Sequence, residues 1–236
     1  MISKKLRRFL ALRFLKPVHH TQIPSDNWGQ AKIEKQSASA SDILNLKQRL
    51  PADHHVLTFI MQNLSLHLLR ELRSDHAGET GAVYIYKGIV AVATWRKDQE
   101  LLSFAKRHGI TEADHLRQIE EWLPTQQRSW LLGPWRLAGW LTGALPAMFG
   151  RRAVYGTIAA VETFVEHHYQ QQIDHLKEFG GPEGLLPLLL KCQADEQHHR
   201  DESAALAGRQ SNWLLRAWCW TVGFGSAAAV VLARRV

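Results

Sequence analysis

Glu196-Gln197-His198-His199 and Glu112-Ala113-Asp114-His115 are the two stretches whose reading decides the fold. Each holds a Glu and a His three residues apart. On a helix, positions i and i+3 share a face, so each pair aims one oxygen and one nitrogen ligand at the same point. Two such pairs, joined by one Glu from each of two other helices, make the ligand set of a di-iron or di-manganese carboxylate centre inside a four-helix bundle. The pattern predicts an all-α chain with its chemistry inside the bundle.

Working outward, apolar spacing marks the helices. Over residues 65–95 the positions Leu68, Leu72, Asp75, Glu79, Ala82, Tyr86 and Ile89 recur at steps of four and three, an inward stripe with one Glu at its middle. Gly78 and Gly81 flank that Glu, and each costs about 1 kcal/mol against Ala, so a backbone or a substrate is expected to come close there. Residues 97–122 carry Leu101, Ala105, His108, Glu112, His115, Ile119 and Trp122 on one stripe, with Gly109 expected to bend the helix. A third long helix starts near Arg152 and ends at Gly180-Gly181-Pro182; its stripe reads Tyr155, Ile158, Glu162, Val165, Tyr169, Ile173, Leu176. Over 182–207 two registers compete. Leu189, Cys192, Glu196, His199, Ser203 and Leu206 form the less polar face, and Leu188, Lys191, Asp195, His198 and Glu202 the charged one. The first is expected inward, which selects His199 over His198.

A charged group on an apolar stripe costs several kcal/mol unless it is paired or bound to metal. One Glu-x-x-His alone carries little weight. Two of them, interleaved with stripe glutamates in the order Glu79, Glu112/His115, Glu162, Glu196/His199, explain one another as a di-metal, oxygen-activating site. Four carboxylates and two imidazoles suit iron or manganese, and with Cys192 the only thiol on a stripe, zinc and iron–sulfur chemistry are disfavoured. Simpler readings compete. Glu79 and Glu162 could pair with cations such as Arg73 and Arg152, and His108 reads as a core or rim histidine with a satisfied hydrogen bond. Glu166-His167-His168 reads as a rival cluster on a more polar face, supporting the ligands. Tyr169 is either core or a relay for a proton or electron. Asp75 either bonds a ligating imidazole or is solvated.

The 236 residues carry a net charge of +7 and nine tryptophans. No nucleic-acid signature accompanies the charge, and indole rings with basic residues suit an anionic membrane surface. Residues 1–25 hold Lys4, Lys5, Arg7, Arg8, Arg13 and Lys16 with no acid and read as a presequence, a basic surface helix or a plain basic tail. Residues 17–41 read as a linker, followed by a short helix capped by Ser41 and stopped by Pro51. Between 130 and 150, where Arg136 is the only charge, Pro134, Gly139, Gly143 and Pro146 interrupt the run; an interfacial or re-entrant helix is expected. From Ala217 to Ala233 no charged residue occurs, and this reads as a membrane-seated helix, with a core helix capping the bundle as the alternative. The expected division is 1–62 as extension and linker, 63–208 as bundle, and 209–236 as C-terminal hydrophobic helix. Cys192 and Cys219 are expected to be reduced thiols.

Arg73-Ser74-Asp75-His76-Ala77-Gly78-Glu79-Thr80-Gly81-Ala82, with Ala160-Val161-Glu162, His167-His168-Tyr169 and the stretch from Asp195 to His199, resembles the demethoxyubiquinone hydroxylase family. Ser74 stands where that family usually has Val. The resemblance covers residues 66–208 and implies a ferritin-like four-helix bundle with additional membrane-associated helices. It implies two iron ions on Glu79, Glu112, His115, Glu162, Glu196 and His199, and hydroxylation of a polyprenyl benzoquinol ring with dioxygen and NADH as reductant. Tyr169 and His168 are the candidate catalytic residues. Peripheral seating is implied, on the cytoplasmic face of a bacterial inner membrane or the matrix face of the mitochondrial one. A lipid-binding partner of ubiquinone synthesis and a homo-oligomer are also expected, and no nucleic acid. A ferritin-like iron-handling protein and a non-catalytic membrane-surface scaffold are the alternatives.

Overall fold

In a computed structural model the described residues are 64–209 and 212–235, and they form six α-helices and one 3-10 turn. The expectations for the basic segment, the linker and the helix after Ser41 lie outside them. The helices are α1 (Leu66–Trp95), α2 (Gln99–Trp122), α3 (Leu132–Phe149), α4 (Arg151–Phe179), α5 (Leu185–Ala207) and α6 (Trp213–Ala233).

Local chemistry sets the ends. Ser65 accepts from the Leu68 amide and Asp98 from the Leu101 amide, each satisfying a first-turn donor. Gly180, at φ 75, terminates α4 in a conformation that residues with a Cβ avoid.

Pairings between elements give the directions. His76 faces Glu120 and Tyr86 stacks on His108, so α2 runs back along α1. Tyr169 bonds Glu79 and Tyr86 bonds Glu162, so α4 is antiparallel to α1. Gln193 meets Gln170 and Arg152 meets the Ala207 carbonyl, so α5 returns along α4. The outer helices differ: Gly139 lies on Gly81 and Gly143 on Ile85, so α3 runs parallel to α1. Trp218 bonds Thr157 and Arg234 reaches Glu71 beside His168, so α6 runs parallel to α4. Among the described residues, α1–α3 and α4–α6 thus repeat one order of helix directions, antiparallel then parallel to the first helix of each set.

Between 130 and 150 the expected helix forms as one continuous element, Leu132–Phe149, with Pro146 inside it. Pro134 falls in the first turn of α3, where its missing N–H has no partner to lose, and Gly139 and Gly143 are contact points. A Cβ at Gly139 would lie 2.3 Å from the Gly81 oxygen, at Gly143 1.9 Å from the Ile85 oxygen, and at Gly88 2.2 Å from the Trp140 oxygen. Close backbone approach therefore falls at Gly88, Gly139 and Gly143, and at Gly81, whose backbone Gly139 meets, although a Cβ added at Gly78 or Gly81 would itself meet nothing within 4 Å. In α6, Gly223 and Gly225 also meet nothing, so α3 is pressed onto α1 while α6 stands away from α4.

Two apolar clusters fill the bundle at different heights. One is built around Tyr86, Ile89, Phe104, Tyr155 and Ile158, the other around Leu68, Leu72, Ile119, Ile173 and Leu189. Burying each of these large side chains contributes about 1.5–3 kcal/mol. The stripes between them hold the six expected ligands.

Candidate metal centre

All six residues converge and are buried: Glu79, Glu112, His115, Glu162, Glu196 and His199 are each at most 3% exposed. They form two overlapping donor sets. Glu79, Glu112, His115 and Glu196 make one, and Glu112, Glu162, Glu196 and His199 the other, with ligand atoms within 4.8 Å of one another in each. Glu112 and Glu196 belong to both, the arrangement needed for carboxylates that bridge two cations. Arg73 is taken by Gln127 and Arg152 by the Ala207 carbonyl, so the salt-bridge alternative for Glu79 and Glu162 is not realised.

Unspent valence tests whether the donors fit a metal. Glu79 Oε2, Glu112 Oε1, Glu196 Oε2 and His199 Nδ1 are buried without a hydrogen-bond partner. Glu112 Oε1 and His199 Nδ1 lie only 2.8 Å apart yet lack hydrogen-bond alignment. Buried donor atoms gathered within 4.8 Å of one another and left without partners are what a shared cation can satisfy, so the residues fit.

Electrostatics agrees. Burial raises Glu79 and Glu162 well above the usual carboxylate range, and raises Glu112, each with neighbouring carboxylates adding to the effect. Burial opposes ionisation of Glu196 too, but the hydrogen bond with His115 and the adjacent His199 imidazole outweigh it and hold it at about 2. Burial likewise disfavours charged imidazoles. The Glu196 bond and surrounding carboxylates nevertheless keep His115 at about 10, and the adjacent Glu112 and Glu196 carboxylates keep His199 at about 9. Without metal, the cluster is held together by protons.

The supporting residues are partly new. His115 turns Nδ1 to Glu196 Oε1 (3.1 Å) and Nε2 to Asp195 Oδ2 (3.0 Å), so Asp195 orients the imidazole. The charged-face assignment passed over Asp195. Its side chain stays 37% exposed at the edge of the buried face, between His115 and Lys191. Tyr169 donates to Glu79, and Tyr86 to Glu162 Oε1 at 3.4 Å. Each tyrosine stands seven residues after the Glu of its own helix and serves the Glu of the other, a repeat visible in the sequence but not read as such. Burial pushes both phenols well above their ordinary range, so they act as donors.

His108 bonds Glu202 at 2.9 Å, as expected, and packs edge-on against His199 with centroids 4.2 Å apart. His198 is 73% exposed and faces Glu202, as the choice of register implies. Leu206 is exposed and Ala207 takes the inward place; Leu188, assigned to the outer face, is buried. Glu166 turns to Arg200 and Gln197 instead of the cluster. His168 joins Asp75 at 3.0 Å and Ser74 at 3.1 Å, so the imidazole on Asp75 is not a ligand, and Asp75 is 3% exposed, not solvated. Cys192 and Cys219 are free thiols, and burial raises both.

Beside the centre lies a cavity of about 370 Å³ between α1, α3, α4 and α6, lined by Glu79, Glu112, Glu162 and Glu196 and otherwise mainly by apolar and small side chains. It exists because α6 stands off where α3 does not.

Fold and site together define a class: ferritin-like helical bundles with a buried, paired carboxylate–histidine centre. Comparison with known proteins narrows it. The chain belongs to the family of the ubiquinone biosynthesis protein COQ7, whose profile matches residues 67–233. It is 34% identical over 145 residues to a Rhodospirillum rubrum protein named 3-demethoxyubiquinol 3-hydroxylase, covering 60% of this chain and 66% of that one. It is 35% identical over 136 residues to a Homo sapiens protein (56% and 61%). With a Dictyostelium discoideum protein the identity is 32% over 133 residues (55% and 60%). Both of these are named NADPH-dependent 3-demethoxyubiquinone 3-hydroxylase, mitochondrial. The matched stretch spans between 60% and 66% of these relatives' lengths.

Proposed function

We propose that this chain hydroxylates the ring of a demethoxyubiquinol, with a pair of irons held by Glu79, Glu112, His115, Glu162, Glu196 and His199 and electrons from a reduced nicotinamide nucleotide. The observation that carries the reading is the placement of the two overlapping donor sets on the wall of an apolar cavity. A volume of about 370 Å³ is in the range of roughly 300–1,000 Å³ typical of small-molecule sites. The names of the relatives support the substrate and the reaction. NADH was the expected reductant, whereas two of the relatives' names specify NADPH; turnover with each nucleotide decides between them.

Bound iron supplies the electron transfer and oxygen activation that side chains cannot. The chain supplies the rest. Glu112 and Glu196 hold both donor sets together, and Asp195 fixes the His115 ring. Tyr169, on the cavity wall and bonded to Glu79, is placed to hold or return a proton at that carboxylate. His168 lines the same cavity farther from the cluster, next to Asp75. Ala77, Ile85, Val161, Val165, Val222 and Val230 keep water from the ring. An iron-storage protein has no use for such a lining.

Access from a membrane surface fits the outer helices. α6 is, among the described residues, the one helix long and apolar enough to cross a membrane, and little of it is buried. α3 exposes Leu137, Leu141, Leu145, Met148 and Phe149. We place the protein peripherally, with α3 and α6 toward the lipid and the cavity behind them.

Iron analysis of purified protein, together with a quinone profile of a deletion strain, tests the reading. A pair of irons per chain and accumulation of demethoxyubiquinone are expected, and Glu162→Ala or His199→Ala should lose iron and product. Full turnover in either variant would rule out the site; an unchanged quinone profile would rule out the reaction.

A further inference from the structure

The two donor sets hold the same kinds of ligand but are not gripped alike. Each has three glutamates and one histidine, and Glu112 and Glu196 are common to both. Glu79 and His115 therefore belong to one set alone, Glu162 and His199 to the other. Both imidazoles place Nδ1 beside a shared carboxylate, His115 at 3.1 Å from Glu196 Oε1 and His199 at 2.8 Å from Glu112 Oε1. The difference lies in what else holds each unshared ligand.

His115 is tied at its other nitrogen, where Nε2 meets Asp195 Oδ2 at 3.0 Å, so the ring cannot swing from the centre without breaking that bond. His199 has no such tie. Among the described residues the only carboxylates within 4.0 Å of it are Glu112 and Glu196, both of them ligands. Its neighbour His108 spends Nε2 on Glu202 at 2.9 Å and leaves Nδ1 without a partner, so the contact between the two rings, with centroids 4.2 Å apart, is packing alone. The unshared glutamates repeat the contrast. Tyr169 donates to Glu79, whereas Tyr86 stands 3.4 Å from Glu162 Oε1, beyond the roughly 2.5–3.0 Å of a good O–H···O bond. Two independent contacts favour the same set.

A ligand already held in place loses less freedom when metal binds, and an outer partner of a ligating side chain is worth about 10- to 100-fold in metal affinity. We propose that the two metal positions are unequal and fill in order, the Glu79–His115 position first and the Glu162–His199 position second. The proposal rests on the paired-metal reading above and adds which position is the labile one and which residues make it so. Repulsion between two cations weakens the second step wherever it falls and so cannot select a position; the contacts of the unshared ligands do. Asp195 is half-buried and is shared with Lys191 at 3.5 Å, which keeps its part near the lower figure, about 10-fold. Asp195 and Tyr169 act here as positioning residues, through His115 and Glu79, and the iron that His199→Ala loses is the second of the pair.

Anaerobic titration of the metal-free full chain with Mn(II), followed by electron paramagnetic resonance, tests the order, because a lone Mn(II) ion and a coupled pair give different spectra. With one equivalent the wild type should show lone ions, and a second, weaker step should convert their signal to that of the pair. His199→Ala should keep the tight step and bind one ion per chain, whereas His115→Ala should weaken it by at least about 10-fold. Asp195→Asn, nearly isosteric and at the edge of the buried face, should weaken the first step by about 10-fold and leave the second nearly unchanged, and it gives the decision where an alanine variant does not fold. Coupled pairs at one equivalent of wild type, equal losses in the two alanine variants, or an unchanged first step in Asp195→Asn each overturn the order and leave the paired-metal reading standing. A wild-type chain that binds no Mn(II) overturns that reading and the order with it.

Discussion

Gly143 and Gly225 lie on the two outer helices, and alanine at each should have opposite consequences. In α3 the new Cβ would lie 1.9 Å from the Ile85 carbonyl oxygen, and real Cβ atoms essentially never approach closer than 3.0 Å, so α3 must move outward by about 1 Å. The obstacle is backbone and cannot rotate aside. Overpacking of this kind costs about 1–3 kcal/mol, against which the better helix propensity of Ala returns roughly 1 kcal/mol. A net loss of up to about 2 kcal/mol at this chain length lowers Tm by up to roughly 8 °C. In α6 a Cβ at Gly225 meets nothing within 4 Å, so Ala contributes its propensity alone and Tm should rise by about 2–4 °C. Thermal unfolding at matched metal loading, in one buffer, compares them. Shifts of the same sign would refute the claim that α3 is seated on α1 while α6 stands off to leave the cavity.

Asp195→Asn should weaken metal retention by about 10- to 100-fold in a chelator competition, with the helical content unchanged, because the His115 ring loses its carboxylate partner. Metal uptake should be strongly pH-dependent. In the metal-free cluster His115, at about 10, and His199, at about 9, both carry protons at pH 7, and ligation must expel them. Protons compete with metal below these values, so the apparent affinity for the metal pair should rise with pH, by about 100-fold between pH 6 and 7 for two protons. Anaerobic Mn(II) titration at several pH values checks this, and an affinity independent of pH would contradict the protonated cluster. Arg234→Ala removes the partner of the buried Glu71 and should cost about 1–3 kcal/mol, with faster amide exchange confined to the C-terminal half of α6. Uniform protection would mean that the Arg234–Glu71 pair does not hold that helix.

Much of the centre was legible in one dimension. A helix converts a separation of three residues into a shared direction, so Glu112 with His115, and Glu196 with His199, could be aimed before any packing was known. The same periodicity put Glu79 and Glu162 on apolar stripes and turned His198 outward. Asp195 does lie on the charged face, beside Lys191 and 37% exposed, but periodicity along α5 is silent on its second partner, His115 of α2. Asp75 was matched to the wrong imidazole because periodicity orders residues along one helix and is silent on which neighbour from α4 arrives at the same height. The glycines beside Glu79 do meet a close neighbour, since Gly139 lies on Gly81 and both Gly78 and Gly81 line the cavity, but their spacing did not say which neighbour it would be. Spacing shows where a Cβ is missing, but only the approach of a second backbone shows whether the space is filled, as at Gly88 and Gly143, or kept open, as at Gly81 and Gly225.

The sequence alone therefore determined the helices, their inward faces and the six side chains that meet, because those depend on local periodicity and on the cost of burying charge. Tertiary structure alone decided that Glu112 and Glu196 are shared between two donor sets and that each tyrosine serves the opposite helix. It also decided that α6 stands away from α4 to open a cavity beside the carboxylates. Those features are distances between elements far apart in the chain, set by how closely backbones can approach one another, and no pattern within a single helix contains them.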